Sequence, residues 1–596
     1  MHSLSCKIAV MFLTVALISS CQQVTEEQIA AESKKANEFF DRVFDEEVDR
    51  SPETQTYLGI KKDYDKWDDI SDENAQKEIE ISKQELDKLR HEINYDRLDA
   101  QTKISHDLFV YQAERDIRNF EYRFHNYPVN QMFGLQSQVP ALLINMHQIT
   151  NLEDAQAYIS RLQKIDHLFD QLIAELRIRG EKGIIPPTFV FPHVLRDCKN
   201  IMTGSSIIDD FKGKIEKVEE IDRKTLMNLV LEAEEAIQNS LVPAYEKLIA
   251  YVTELEKKST TEDGVWKFPD GEAFYNSRLE RMTTTNLTAE EIYNIGLKEV
   301  ERIHGEMREI MAKVGFEGTL QEFFDFMRTD RQFYYPNDAG GRARYLSEAV
   351  ALIDTMKGKL DDLFLTKPKA ELFVKRVEEF REKSAGKAFY QQPAPDGSRP
   401  GTYFANLYDM DEMPTYQMEA LAYHEGIPGH HMQIAIAQEL EGLPKFRKFG
   451  RFTAYTEGWG LYSEYVPKEI GLYSDPYSNF GRLAMELWRA CRLVVDTGIH
   501  YKKWTREQGI EYYANNTPNP KDDAVKMVER HIIMAGQATA YKIGMIKILE
   551  LREMAKQKLG EDFDIRQFHD VVLTNGPVPL NVLENLVNEW IANARS

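Results

Sequence analysis

His424-Glu425-Gly426-Ile427-Pro428-Gly429-His430-His431 packs three imidazoles and a carboxylate into one octapeptide, in a chain with 14 histidines among 596 residues. A helical run leads in, from Thr415 through Glu419 and Tyr423, and a second, HMQIAIAQEL, leads out. Pro428 lacks an N–H and crowds the turn before it, so a straight helix through the motif is not expected. The zinc-peptidase pattern HExxH sets two imidazoles one turn apart on a helix, with the Glu beside them as general base. Here His424 and Glu425 supply its first half, and the second histidine is displaced to His430 or His431. On an ideal helix a step of seven returns to the same face but rises about 10.5 Å. That is too far for two ligands of one ion, so the Pro428-Gly429 break has to shorten the distance. The motif reads as an expanded HExxH in which either later histidine completes the pair. The competing reading is a polar junction between helices with structural histidines.

Downstream lies Thr456-Glu457-Gly458-Trp459-Gly460-Leu461-Tyr462-Ser463-Glu464. Glu457, Leu461 and Glu464 fall on one helix face, being four and three residues apart. A carboxylate in a Gly-Trp-Gly setting is costly to bury without a partner, and a bound cation offsets that cost. Glu457 is therefore the expected third ligand, and Glu464 a support for the ligands or an alternate one. From Leu487 to Trp504, Arg489, Arg492, Asp496 and His500 form a polar stripe on an otherwise apolar helix, and buried polar groups need partners. In one reading Arg489 or Arg492 binds a substrate carboxylate, Asp496 supports the site from behind, and His500 donates to a developing oxyanion. In the other, the stripe is an internal network that ties helices together. Gly498, inside the pattern, is expected to let backbone or ligand come close. Arg530, Gln537 and Tyr541 again share a face. Arg530 is a further candidate for substrate binding, and Tyr541 a hydroxyl donor to a tetrahedral intermediate or a packed core residue.

A chain of this length holds two domains or one large two-lobed fold. Hydrophobic and aromatic contents of 42% and 11% suit a well-packed protein, and a net charge of −23 argues against a nucleic-acid partner. Cys6, Cys21, Cys198 and Cys491 are too dispersed for a disulfide framework or a CxxC metal site. At the N-terminus, Lys7, an apolar run from Ile8 to Ile18, and Ile18-Ser19-Ser20-Cys21 resemble a lipoprotein signal. Residues 1–20 are then removed and Cys21 carries the lipid. Loss of Lys7 takes the charge from −23 to −24. The apolar run is too short to span a bilayer. The expected location is a bacterial envelope, with the chain held by its lipid anchor on the periplasmic or cell-surface side.

Along the chain, Tyr158, Leu162, Ile165, Phe169, Leu172 and Leu176 define one helix face, with Asn151 as N-cap and Gly180 as stop. GIIPPTFVFP, residues 183–192, is a candidate connection between lobes. Thr288 with Glu291, Thr319 with Glu322, and Thr505 with Gln508 fit capping boxes. Residues 401–408 read as a short aromatic strand just upstream of the histidine motif. Tyr403 to Leu407 would bind an extended peptide by strand addition. The division is an N-terminal helical region over 21–260 and a C-terminal region over 261–596 that carries the site.

RPGTYFANLYD, YHEGIPGHHMQ, YTEGWGLYSE, RLVVDTGIH and GQATAYKIG resemble the bacterial family called domain of unknown function 885, over most of the mature chain. That resemblance implies membership of the zinc-metallopeptidase clan. The expected fold is mainly α, large, two-lobed and metallopeptidase-like, with a central cleft and a small β element next to the site. The arrangement is also similar to thimet oligopeptidase, angiotensin-converting enzyme and dipeptidyl peptidase III, where HExxH or HExxxH is followed by a Glu ligand on the next helix. By that similarity His424 and Glu457 hold Zn2+ and Glu425 is the base; the Gly-His pairing favours His430 and helical phase favours His431. The expectation is a zinc-dependent hydrolase of short peptides. The alternatives are a non-catalytic lipoprotein that binds peptide or metal, and a scaffold without metal.

Overall fold

Thr288, Thr319 and Thr505 each accept a hydrogen bond from the backbone three residues on, and Glu291, Glu322 and Gln508 return it, so all three capping boxes form. The computed structural model describes residues 24–377, 382, 386–393 and 400–595; the proposed signal and Cys21 lie outside them. The chain is mainly helical, with one small three-stranded sheet. The elements used below are α1 (Glu26–Asp49), α2 (Leu152–Gln163), α3 (Ile165–Glu181), α4 (Gly271–Thr283), α5 (Ala289–Lys313), β1 (Leu372–Arg376), β2 (Ala388–Gln391) and β3 (Gly401–Ala405). They continue with α6 (Thr415–Glu425), α7 (His430–Glu439), α8 (Thr453–Glu469), α9 (Pro476–His500), α10 (Lys521–Ile533) and α11 (Ala540–Leu559).

Asn151 caps α2 through its side chain, as its position predicts. The single helix expected from 151 to 180 is two, broken at Lys164, and Gly180 lies within α3. The stop is Gly183, at φ 77°, a left-handed conformation that costs glycine little. One apolar core is built from residues between Val129 and Leu255. A larger one gathers most of its side chains from beyond residue 264 and surrounds the histidine motif, with Tyr423, Ile427, Trp459 and Tyr462 in it. The first helix does not stay with the N-terminal core: Phe40 and Phe44 of α1 pack on Phe446 and Phe449.

The sheet order is β1-β3-β2, with β1 parallel and β2 antiparallel to β3. The aromatic strand read from sequence is thus the central one, buried along its length. Both its edges are hydrogen-bonded, so the expected strand addition at Tyr403–Leu407 is not available, and Tyr403 is fully buried. The strand that lines the cleft is β2, through Ala388, Phe389 and Tyr390.

Candidate metal centre

The histidine motif is two helices and a bend. α6 ends at Glu425 because Gly426, at φ −99° and ψ −114°, leaves helical space, and α7 starts at His430. Within the bend the Ile427–Pro428 bond is cis. Trp459 of α8 donates its indole N–H to the Pro428 carbonyl at 2.9 Å, which ties the bend to α8. Gly429 has no substitute there, since a Cβ would come within 2.0 Å of the His424 carbonyl oxygen. The bend does what the sequence required: the His424 and His430 rings lie 4.7 Å apart at 83°.

α8 supplies the rest. Glu457 and Glu464 face the motif from one side of the helix, as their spacing predicts. His424 Nδ1 is 2.7 Å from Glu464 Oε1, which turns Nε2 toward Glu457 Oε2 at 3.9 Å. His430 Nε2 is 3.6 Å from the same oxygen. Gly460 lies between, where a Cβ would sit 2.8 Å from His424 Cε1 and 3.1 Å from His430 Cε1. One donor atom from each of His424, His430 and Glu457 lies within 4.8 Å of the others. Tetrahedral zinc with bonds near 2.0–2.1 Å holds its donors about 3.3 Å apart, so two imidazoles and a carboxylate at these separations fit the ion. Glu464 suits a support role, because a ligating imidazole ordinarily gives its other N–H to a carboxylate.

His431 is turned away. Its Nε2 donates to the Ala370 carbonyl at 3.0 Å and its Nδ1 meets the Tyr390 hydroxyl at 3.0 Å, with 1% of the residue exposed. Of the two histidines left open, His430 is the one at the centre. Burial holds His431 down to about 4.

Glu425, 8% exposed, lines the same cleft, and burial pushes its carboxyl up to about 7. Burial works the other way on His424, holding it well below the usual histidine range. Burial would lower His430, but the facing Glu457 carboxylate outweighs it and raises the ring. For Glu457 burial is again overcome, by His430 first, and the carboxyl falls to about 2. Glu464, buried and only partly offset by Arg489, rises to about 8.

The cleft has a volume of about 550 Å³. Arg489, Arg492, Arg530 and Tyr541 line it together with His424, Glu425, His430 and Glu457. Arg489 gives Nη1 to the Met485 carbonyl at 3.1 Å and lies 3.8 Å from Glu464, so it is a charge partner of that carboxylate. Arg492 stacks over the Tyr541 ring at 4.5 Å. Arg530 Nη2 donates to Gln537 at 3.0 Å and to the Tyr541 hydroxyl at 3.4 Å. The lower half of the polar stripe is elsewhere. His500 accepts from the Val265 N–H at 3.1 Å and donates to the His531 carbonyl at 2.9 Å, so both its nitrogens are used. Asp496 accepts from Tyr275 at 2.6 Å and from the Gly536 N–H at 3.0 Å. Neither lines the cleft; the internal-network reading describes them. Gly498 makes room for the Trp504 ring, 2.5 Å from its would-be Cβ, not for a ligand. Missed in the sequence were β1 and β2, although Phe389-Tyr390 between Gly386 and Pro393 carries the aromatic, turn-bounded pattern of a short strand.

No curated protein matches the chain. Among the solved structures that do match are two bacterial proteins. The "putative lipoprotein" from Colwellia psychrerythraea is 32% identical and superposes with a TM-score of 0.88 over 94% of this chain and 99% of that one. The "putative lipoprotein of unknown function" from Shewanella oneidensis shares the fold, at 20% identity and a TM-score of 0.72, over 93% and 99% of the two chains. The match to a family described as "Bacterial protein of unknown function (DUF885)" runs over residues 52–587, and the chain belongs to that family.

Proposed function

We propose that this protein is a zinc-dependent peptidase, with His424, His430 and Glu457 as metal ligands and Glu425 as general base. The observation that carries the reading is the convergence of those three donors beside a buried carboxyl in one cleft. A bound zinc ion supplies a Lewis acid for the carbonyl and lowers the pKa of water. Glu425 takes one proton from the attacking water; the carbonyl carbon gains that oxygen, the C–N bond breaks, and the same carboxyl returns the proton to the leaving amine. The Tyr541 oxygen accepts from Arg530 and Gln537, which leaves its own O–H to donate to the developing oxyanion. Glu464 fixes the His424 ring.

The chain's N-terminal pattern and the descriptions of both structural relatives favour a lipid-anchored protein of the bacterial envelope. Among the described residues no helix is long and apolar enough to cross a membrane. The zinc-loaded protein should cleave members of a mixed peptide library, and Glu425→Gln should not while keeping its metal. Turnover by Glu425→Gln at the parent rate would refute the assignment.

A further inference from the structure

Arg492 is 6% exposed and makes no hydrogen bond among the described residues; its Nε and Nη1 are buried without a partner. Other buried arginines also leave a single nitrogen without a partner, Arg482 Nη2 and Arg447 Nε among them, but each of these makes hydrogen bonds through its other nitrogens. Arg482 meets Glu486 at 3.0 Å, Arg179 meets Glu175 at 2.8 Å, and Arg161 spends its donors on carbonyls, His147 and a hydroxyl. Arg492 has only the Tyr541 ring beneath it. Arg530, which donates to the hydroxyl of the same tyrosine, also has a buried, unpartnered Nε, and the groups it hydrogen-bonds, Gln537 and Tyr541, are neutral. A guanidinium buried without a counter-charge is costly, and an anion removes the cost. The chain as a whole carries −23, so two arginines in its cleft without an ion-pair partner among the described residues run against its general charge. Arg492 lines the same cleft as His424, His430 and Glu457.

We propose that Arg492 and Arg530, which both contact Tyr541 in the cleft, form a pocket for the free C-terminal carboxylate of a peptide, so that cleavage occurs near that end of the substrate. Arginine suits this because its planar fork matches a carboxylate with two parallel hydrogen bonds. The inference rests on the peptidase reading for the word cleavage, but the pocket stands on Arg492 and Arg530 alone.

The test uses two pools of N-acetylated random hexapeptides, identical except that one ends in the free acid and the other in the amide. The zinc-loaded full chain should consume the free-acid pool at least about tenfold faster, as expected for loss of charge-assisted hydrogen bonds, with products shortened from the C-terminus. Arg492→Met and Arg530→Gln should each raise KM for the free-acid pool more than they lower kcat, and bring the ratio toward one. Immobilised Glu425→Gln should capture the free-acid pool selectively. Equal consumption of both pools, or a ratio kept by both variants, overturns the proposal. So does capture of both pools equally or of neither. Selective capture without turnover by the parent chain would refute the peptidase and keep the pocket.

Discussion

His430 and His431 are neighbours in the chain and opposed in space: one faces His424 and Glu457, the other bonds Ala370 and Tyr390. Sequence could not separate them, because the Gly426–Gly429 bend resets helical phase and the outcome depends on two glycine conformations. Glu457 and Glu464 were legible for the opposite reason, since α8 is continuous and their spacing survives intact. His500 shows where periodicity stops being informative. It lies on the same helix face as Arg489, but eleven residues further along α9 is about 16 Å, beyond the cleft. Two predictions belong here. Glu425→Gln should lower kcat by about 10²–10⁴, the usual worth of a general base, with zinc content unchanged by elemental mass spectrometry. Glu464→Ala leaves the His424 Nδ1 without its acceptor and should weaken zinc binding about 10–100-fold in a chelator competition.

The helices hold the centre through close backbone approach. α8 and α11 cross where Gly458 and Gly544 meet, and a Cβ on Gly544 would lie 1.9 Å from the Ala454 carbonyl oxygen. Gly544→Ala should therefore destabilise the fold by about 1–3 kcal/mol in thermal unfolding. Because α8 carries Glu457 and Glu464, zinc affinity should fall with it. The other seam joins α9 to α4 and α10 through Asp496 and His500. Burial pushes Asp496 up to about 7, above its unfolded range. The folded chain then holds a proton that the unfolded chain has released, so the stability linked to this proton is present at low pH and lost as pH rises through about 7. Asp496→Asn keeps the acceptor for Tyr275 and Gly536 and has no charge to bury. Relative to the parent it should gain on the order of 1–3 kcal/mol in stability between pH 5 and pH 8, read from unfolding midpoints; an unchanged difference would count against a buried, titrating Asp496. Of the helices of this seam, α9 was readable, from the polar stripe on its apolar run between Leu487 and Trp504. The sheet was not, because β1 and β2 are short and β1 is only half buried.

At the scale of the whole molecule, composition gave the class and little of the arrangement. The mainly helical class and the excess of acidic residues were visible in the sequence. The packing of α1 on the helix at residues 445–449 was not, since nothing local marks a contact between Phe40 and Phe446 across some 400 positions. A division at residue 260 therefore does not separate the apolar contacts cleanly. If Cys21 carries the lipid, Cys21→Ser should move the full chain from the membrane fraction to the soluble one. The account turns on one centre, and zinc per chain tests it most directly. The purified mature protein, His430→Ala and His431→Gln would be dialysed against zinc and measured by elemental mass spectrometry, with unfolding midpoints as a control. About one zinc per chain in the parent and in His431→Gln, lost in a folded His430→Ala, is the predicted result. A parent chain that holds no zinc, or a His430→Ala variant that keeps it, would contradict the account.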